Sequence, residues 1–439
     1  MLNTLNLRKF LLFWGDVACL YLSLLITVFL SYGGGFDSRF FYLHVLPFSI
    51  LYFCWLTIFY IFGFYDLKII RVGTLFYNKI VWAMLTGLGL GIVFFYLIPF
   101  FGITPKTNLI LDVLIFGILL LAWRKLFYLL FSYRFSSRVA IIGEGALGQE
   151  LTKEIMARPY LGYKLITLNT NQDLLPQIQS QDNKIDILII PNELTSNSWL
   201  VKNLYQSLPA RINFMNWARA YEMICEKIPV SFVTQTWFLE NLKEGEKEFY
   251  DKTKQILDVI LAGILLIATL PFWLFIALAI KIGDGGPVLY RQERIGKDGK
   301  PFFLFKFRSM KVGAEEKTGP VWAKEEDPRV TGIGKWLRRL HLDELPQMIN
   351  VFKQEISLVG PRPERPEFVE KLEKEIPHYH IRHLIKPGFS GWAQIKFRYG
   401  RSVMDSQEKF QYDLYYLKNR SLILDLGILL KTFRLFFRK

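Results

Sequence analysis

The sequence predicts three parts in a row. An α-helical membrane region of four transmembrane helices (residues 1–136) precedes an α/β domain (137–235). After a connector (236–255) and another apolar helix (256–282) comes an α+β domain (283–439). Three observations predict this order. Four apolar runs, each near the ~20 residues that cross a bilayer, stand at the front. A strand-like run then leads into Gly143-Glu144-Gly145-Ala146-Leu147-Gly148. Most turn residues and paired ionisable groups fall after Gly283.

Composition narrows the class. The chain of 439 residues is 51% hydrophobic and 16% aromatic, yet it carries a net charge of +15. Apolar and basic together suggest a chain at an anionic surface, either membrane or nucleic acid. The apolar runs decide for the lipid bilayer and against nucleic acid. The three cysteines (Cys19, Cys54 and Cys225) form no CxxC pair, so neither a disulfide framework nor a Cys-based zinc site is expected. The first apolar run has no small-residue cleavage motif after it, so no cleavable signal peptide is expected.

The four runs are roughly Phe10–Tyr32, Leu43–Phe64, Ile80–Phe101 and Leu109–Phe131. Arg8 and Lys9 precede the first, and Lys68, Arg71 and Lys79 lie between the second and third. Arg124, Lys125, Arg134 and Arg138 cluster at and after the end of the fourth. The other two connections hold one basic residue each, Arg39 and Lys106. By the positive-inside rule the N-terminus and everything after Ser136 are expected on the cytoplasmic side. Asp112, near the start of run four, is expected to sit at the interface. Trp14, Trp55, Trp82 and Trp123 are expected to be packing residues or interface anchors.

Arg138–Ile142 reads as a buried strand, and GxGxxG between it and a helix over Gln149–Ala157 is the context of a dinucleotide fold. Further strands are expected at Lys164–Leu168 and Ile185–Ile190, and a helix near Trp199–Leu208. The acid that would hold a ribose hydroxyl is missing, because the second strand runs into Asn169-Thr170-Asn171. Scaffolding, ligand sensing and NAD chemistry all remain open for this Rossmann-like part.

The fifth apolar run, Ile256–Ile282, is long enough to span a bilayer at ~1.5 Å per residue. Pro271 sits mid-run, and basic residues lie on both sides: Lys252 and Lys254 before, Lys281, Arg291, Arg294 and Lys297 after. A re-entrant helix that breaks near Thr269-Leu270-Pro271 and returns to the same face satisfies both facts, with a plain span as the alternative. Strands are expected at 288–292 and 302–307, joined by a Gly296–Gly299 turn. The tail, Leu422–Lys439, alternates apolar and basic residues and suits a helix lying on an anionic leaflet.

The chemistry concentrates in His341–Pro363, HLDELPQMINVFKQEISLVGPRP. Asp343 and Glu344 stand directly before Leu345-Pro346, and Asp343 is expected to cap a helix whose N-terminus favours anions. The alternative is a cap and an ordinary first-turn charge. Lys306, Arg308, Arg338 and Arg362 are available to bind a diphosphate, or are solvated surface charges. A carboxylate can attack phosphorus without a general base, because it is already ionised at neutral pH. A neighbouring carboxylate on Mg²⁺ would neutralise the phosphate. Adjacent helix positions diverge by ~100°, so Asp343 and Glu344 can take separate roles. His378, His380 and His383 lack zinc-helix spacing, so a structural or phosphate-contact role with Arg382 is expected instead.

These residues carry a resemblance. Gln292–Gly296, Lys306–Met310, Asp327–Thr331, Leu342–Gln347, Ser357–Pro363 and Lys386–Gln394 resemble the motifs of the bacterial sugar transferases, the monotopic phosphoglycosyl transferases. The whole chain resembles their large exopolysaccharide-initiating subgroup, with four transmembrane helices, a degenerate Rossmann-like domain and an α+β monotopic catalytic domain on a re-entrant helix. The resemblance implies transfer of hexose-1-phosphate from a UDP-hexose to undecaprenyl phosphate, with release of UMP, at the cytoplasmic face of the bacterial inner membrane. It implies Asp343 as nucleophile, Glu344 with Mg²⁺, and Lys306, Arg338 and Arg362 on phosphate. A homodimer is compatible with it. Lys396-Phe397-Arg398 stands where many members have Asn-Gly-Arg, so the choice of hexose does not carry over. Two alternatives belong to other classes. A membrane-bound nucleotide-sugar dehydratase or epimerase would need a Tyr-x-x-x-Lys pair, matched only by Tyr160…Lys164 and Tyr250…Lys254. A non-catalytic membrane scaffold would leave the motifs after Gly283 unexplained.

Overall fold

The computed structural model describes residues 2–32, 38–65, 74–97, 106–133, 137–143, 145–158, 162–168, 176–177, 185–191, 198–210, 212–314, 327–397 and 402–436. Glu144, Tyr160, Asn169–Asn171 and Arg398, on which expectations rest, lie outside them. The residues fall into two compact units, Met1–Cys225 and Glu226–Lys439.

The first unit begins with four long helices: α1 (Leu2–Ser31), α2 (Ser38–Phe62), α3 (Thr74–Leu97) and α4 (Lys106–Tyr133). Among the described residues, the stretches Leu7–Ser31, Arg39–Phe62 and Ile80–Leu97 are long and apolar enough to cross a membrane, as is Gln235–Gly283 in the second unit. The four helices share one core, including Leu12, Leu20, Phe48, Phe59, Phe116 and Phe127. Among the helices, the buried carboxylates Asp16 and Asp112 both have partners, as burial away from water demands. Asp16 pairs with Arg124, which also donates to the Phe64 carbonyl at 2.9 Å. Asp112 corrects the sequence reading. It is fully buried rather than interfacial, and accepts hydrogen bonds from Ser23 Oγ (2.6 Å) and Tyr52 Oη (2.9 Å). Helical periodicity turned this carboxylate toward neighbouring helices, which a linear run cannot reveal. The tryptophans divide: Trp55 is buried and donates to the Gly87 carbonyl, whereas Trp14 and Trp82 are exposed.

Next comes an α/β domain with a four-stranded parallel sheet, in the order β2-β1-β3-β4. The strands are β1 (Ser137–Ile141), β2 (Tyr163–Ile166), β3 (Ile187–Ile190) and β4 (Asn213–Asn216). Val139 lies opposite Leu165 on one side and Ile187 on the other. Short runs of Val, Ile and Leu suit strands buried on both faces. Helices α5 (Ala146–Ala157), α6 (Ser198–Gln206) and α7 (Trp217–Cys225) complete the domain. The reading of the sequence found β1 to β3, α5 and α6 within a few residues, but not β4 or α7.

The second unit starts at Glu226. Ile228, Val230 and Val233 share a core with Leu372, Ile376, Phe410 and Leu414. Lys227 Nζ meets Glu408 at 2.6 Å. The expected connector is itself ordered: α8 (Gln235–Asn241) is capped by the Thr234 side chain, and α9 begins at Glu248. Helix α9 (Glu248–Asp284) is a single helix of 37 residues that contains Pro271. The expected interruption of the helix at Pro271 is therefore not seen. Helical structure continues on both sides of the missing N–H; Thr269 Oγ1 turns back to the Leu265 carbonyl at 2.7 Å and accepts from Trp273 Nε1 at 3.2 Å. Both flanks of α9 bind this one unit. Asp258 accepts from Ser357 Oγ (2.6 Å) and Leu358 N (3.3 Å), while Ile276 and Ile280 pack on Phe307 and Leu337.

The rest of the unit is an antiparallel hairpin, β5 (Leu289–Ile295) and β6 (Pro301–Phe307), as the punctuation predicted, followed by short helices and a two-stranded parallel pair. The pair is β7 (Ser357–Val359) and β8 (Gly388–Ser390). Helix α10 (Gly332–Arg339) and helix α11 (Gln347–Phe352) flank Asp343 and Glu344. The chain closes with α12 (Pro366–Glu375), α13 (Trp392–Lys396), α14 (Val403–Asn419) and α15 (Leu422–Phe436). Helix α15 buries Ile428 and Asp425 while exposing Ile423, Leu426 and Phe433. Asp425 accepts from Tyr416, Tyr250 and Lys254, each at 2.7 Å, tying α15 to α9 and α14.

Candidate active site

One cleft of about 590 Å³ gathers Lys306, Arg308, Arg338, Asp343, Glu344 and Arg362. Separate elements deliver them. Lys306 sits on β6, opposite Tyr290 of β5. Strand β6 is tied to α11 by Asn350, whose side chain accepts from Phe305 N (3.0 Å) and donates to the Phe303 carbonyl (2.7 Å). Helix α10 starts at a Thr331 cap, whose hydroxyl accepts from Gly334 N, and ends in Arg338 and Arg339. Arg338 Nε donates to Ser309 Oγ at 2.9 Å. Gly286 leaves room for Arg308: a Cβ there would fall 1.7 Å from the guanidinium.

His341 then turns the chain in the left-handed region, at φ 52. Asp343 and Glu344 follow in a single 3₁₀ turn, Leu342–Glu344. This corrects the expectation that Asp343 caps a helix. Pro346 stands at the start of α11, and no side chain caps either segment. Asp343 lines the cleft from this turn rather than capping α11.

Charge within the cleft is arranged in two layers. Glu344 Oε1 accepts from Lys306 Nζ at 3.0 Å and from Arg362 at 2.8 Å. Burial would raise the Glu344 pKa, but Arg362 and Lys306 together hold it below the ordinary carboxylate value. Burial lowers the Lys306 pKa, and Glu344 opposes that shift. Asp343 is buried too, and its pKa is raised, first by desolvation and then by the Glu344 charge, against Lys306, Arg338 and His341. Glu344 is thus a neutralised anchor, while Asp343 is a desolvated carboxylate among cations.

Arg362 is placed from behind. Strand pairing of Ser357 with Gly388 carries the chain past Gly360, whose N–H donates to the Ser390 carbonyl at 2.8 Å. The Arg362 carbonyl accepts from Arg382 at 3.0 Å. Arg382 is itself buried, pairs with Asp413 at 2.9 Å and donates to Tyr379 Oη. Arg382 therefore contacts the backbone of a site residue and does not line the cleft. Among the described residues no group of three or more His, Cys, Asp and Glu side chains could hold a metal ion. Asp343 and Glu344 are the carboxylates of this cleft that could hold Mg²⁺, which binds through one or two carboxylates plus substrate phosphates; Glu344 is here paired with Lys306 and Arg362. The Tyr250…Lys254 pair is committed elsewhere, as both side chains bind Asp425. Sequence reasoning missed the clamp of Tyr379, Arg382 and Asp413, because its partners are far apart along the chain.

Comparison with known proteins adds four findings. The family described as bacterial sugar transferase matches residues 249–439. The UDP-N-acetylgalactosamine-undecaprenyl-phosphate N-acetylgalactosaminephosphotransferase of Aeromonas hydrophila is 43% identical over 185 residues, covering 42% of this chain and 44% of its own. The UDP-glucose:undecaprenyl-phosphate glucose-1-phosphate transferase of Xanthomonas campestris pv. campestris is 41% identical over 197 residues, 44% of this chain and 41% of its own. The match thus spans less than half the length of these two relatives. An uncharacterised sugar transferase of Haemophilus influenzae is 28% identical over 407 residues, 85% of this chain and 79% of its own.

Proposed function

This chain belongs to the bacterial sugar transferases, and on that premise we propose that it moves hexose-1-phosphate from a UDP-hexose to undecaprenyl phosphate. The observation that carries this reading is the desolvated Asp343 in a cleft with Lys306, Arg308, Arg338 and Arg362. An Asp343 carboxylate oxygen attacks the β-phosphorus of the donor. The bond from that phosphorus to the bridging oxygen breaks, and UMP leaves with the oxygen and its electron pair. The resulting acyl phosphate on Asp343 is then attacked by an oxygen of undecaprenyl phosphate, which releases the carboxylate and forms the lipid-diphosphate-linked sugar.

Desolvation of Asp343 strips water from the nucleophile, and fixed cations replace it as partners for the charge that moves. Arg362 and Lys306 present donors from two sides, and Arg suits phosphate by its fork. Mg²⁺, held by Glu344, would supply further neutralisation of the diphosphate. The relatives differ in the sugar they are named for, and the hexose is the open variable of this reading.

Location belongs to the same proposal. Basic residues at both ends of the four-helix region favour a cytoplasmic catalytic unit on the inner membrane. Basic residues on both sides of α9 favour a helix that returns to its face, turning as a kink at Pro271 rather than as a break in the helix. The sheet order supports a Rossmann-like ancestry for the α/β domain. Release of UMP, measured in detergent with undecaprenyl phosphate and a panel of UDP-hexoses, tests the reaction. Asp343→Asn is expected to abolish release, and chelation by EDTA to suppress it in the wild type. Full turnover by Asp343→Asn would remove the nucleophile from the mechanism. Labelling of a cysteine placed at Gly283 from the periplasmic side would refute the re-entrant topology.

A further inference from the structure

The glycine loop of the α/β domain is not explained by the transferase reaction. In a parallel sheet of this order, a ligand enters the crevice at the carboxyl ends of the central strands, where the order reverses. Here that crevice lies beyond β1 and β3. The glycine loop follows β1, Pro191 follows β3, and Trp217 follows β4.

The indole of Trp217 lies on this loop. A Cβ added to Gly145 would stand 2.9 Å from its ring, and one added to Gly148 would stand 3.0 Å from it. At Gly143 the distances would be 3.2 Å to the same ring and 2.6 Å to Pro191 Cγ. Gly143, at φ +95, also needs glycine for its backbone. Gly145 does not: its φ of −167 is extended and open to any residue. It is therefore space that Gly145 supplies, and the space is filled by tryptophan. Trp217 is 8% exposed, and among the described residues its Nε1 has no hydrogen-bond acceptor, so packing holds it.

We infer that the glycine loop is a socket for Trp217. The close approach that such glycines give a pyrophosphate is here used by the chain's own side chain, and the crevice is closed to dinucleotides. The domain is then a packing module, whose glycines dock α7 against α5 and the sheet.

The test uses the full chain with Cys19 and Cys54 replaced by serine, so that the buried Cys225 of α7 is the sole thiol. Thiol-dye labelling during heating reports when α7 leaves its socket. Gly145→Ala and Trp217→Ala are each expected to lower the midpoint by several degrees. Combined, they are expected to lower it no further than Trp217→Ala alone, because the alanine methyl then occupies vacated space. NADH or UDP at millimolar concentration should leave the wild-type midpoint unchanged. Trp217→Leu, which keeps apolar volume, serves if Trp217→Ala does not fold. Additive losses would overturn the socket. So would a rise in midpoint with NADH or UDP that Gly145→Ala removes, since that is the behaviour of a nucleotide site.

Discussion

Replacing Arg382 by methionine separates stability from catalysis. The Arg382–Asp413 pair is buried, with side chains 5% and 3% exposed. Removing one partner of a buried pair leaves an uncompensated charge and costs about 3–5 kcal/mol. Replacing both partners by apolar residues leaves no such charge and is often close to neutral. Arg382→Met is therefore expected to destabilise the second unit strongly, and Arg382→Met with Asp413→Leu to recover most of the loss. Activity should not follow. Arg382 also donates to the Arg362 carbonyl, and that hydrogen bond is absent from both variants. A net value of roughly 0.5–1.5 kcal/mol for it translates into about a two- to twelvefold fall in kcat/KM. Thermal unfolding in detergent and UMP release at several donor concentrations would measure the two effects. A double variant that is stable and fully active would refute Arg382 as the residue that positions Arg362. A stable single variant would refute the account of the buried pair.

Two further outcomes follow from the same geometry. The acid limb of UMP release should lie above the usual aspartate value. The raised pKa of Asp343 means that the attacking carboxylate is lost, as pH falls, earlier than for an exposed aspartate; a limb at or below pH 3.8 would contradict this. Asp425→Leu removes the acceptor shared by Tyr416, Tyr250 and Lys254 and strands a mostly buried ammonium, at a cost of about 3 kcal/mol. Limited proteolysis should then cut near Arg420–Leu422 faster than in the wild type, and an unchanged cleavage rate would show that α15 is held by other contacts.

Much of this arrangement was legible in the residues. Hydropathy marked the long helices, because a bilayer demands length and apolarity from a single segment. The hairpin of β5 and β6 was legible because its turn is local. The cleft residues were legible as a set because Lys306, Arg338, Asp343, Glu344 and Arg362 are unusual company for prolines and glycines. What stayed hidden depends on distant partners. Asp112 looks interfacial until Ser23 and Tyr52 are brought beside it by other helices. Residues 228–233 read as the end of the α/β domain until Leu372 and Phe410 cover them. Strand β4 and α7 are short, and their place is set by the sheet. The turn at Asp343 was misread because Pro346 suits both a capped helix and the 3₁₀ step that precedes α11.

Trp273 of α9 lies edge-on to Phe307, with ring centroids 5.1 Å apart, and Ile276 and Ile280 press on the same ring. Phe307 is the neighbour of Lys306, the lysine that holds Glu344. A shift of the helix by a fraction of a turn would therefore be felt at the carboxylate pair through one aromatic ring and one peptide bond. Bilayer thickness and lateral pressure act on just such a helix. On the proposed reaction, UMP release in thin and thick membranes is expected to differ even where both supply the same substrates.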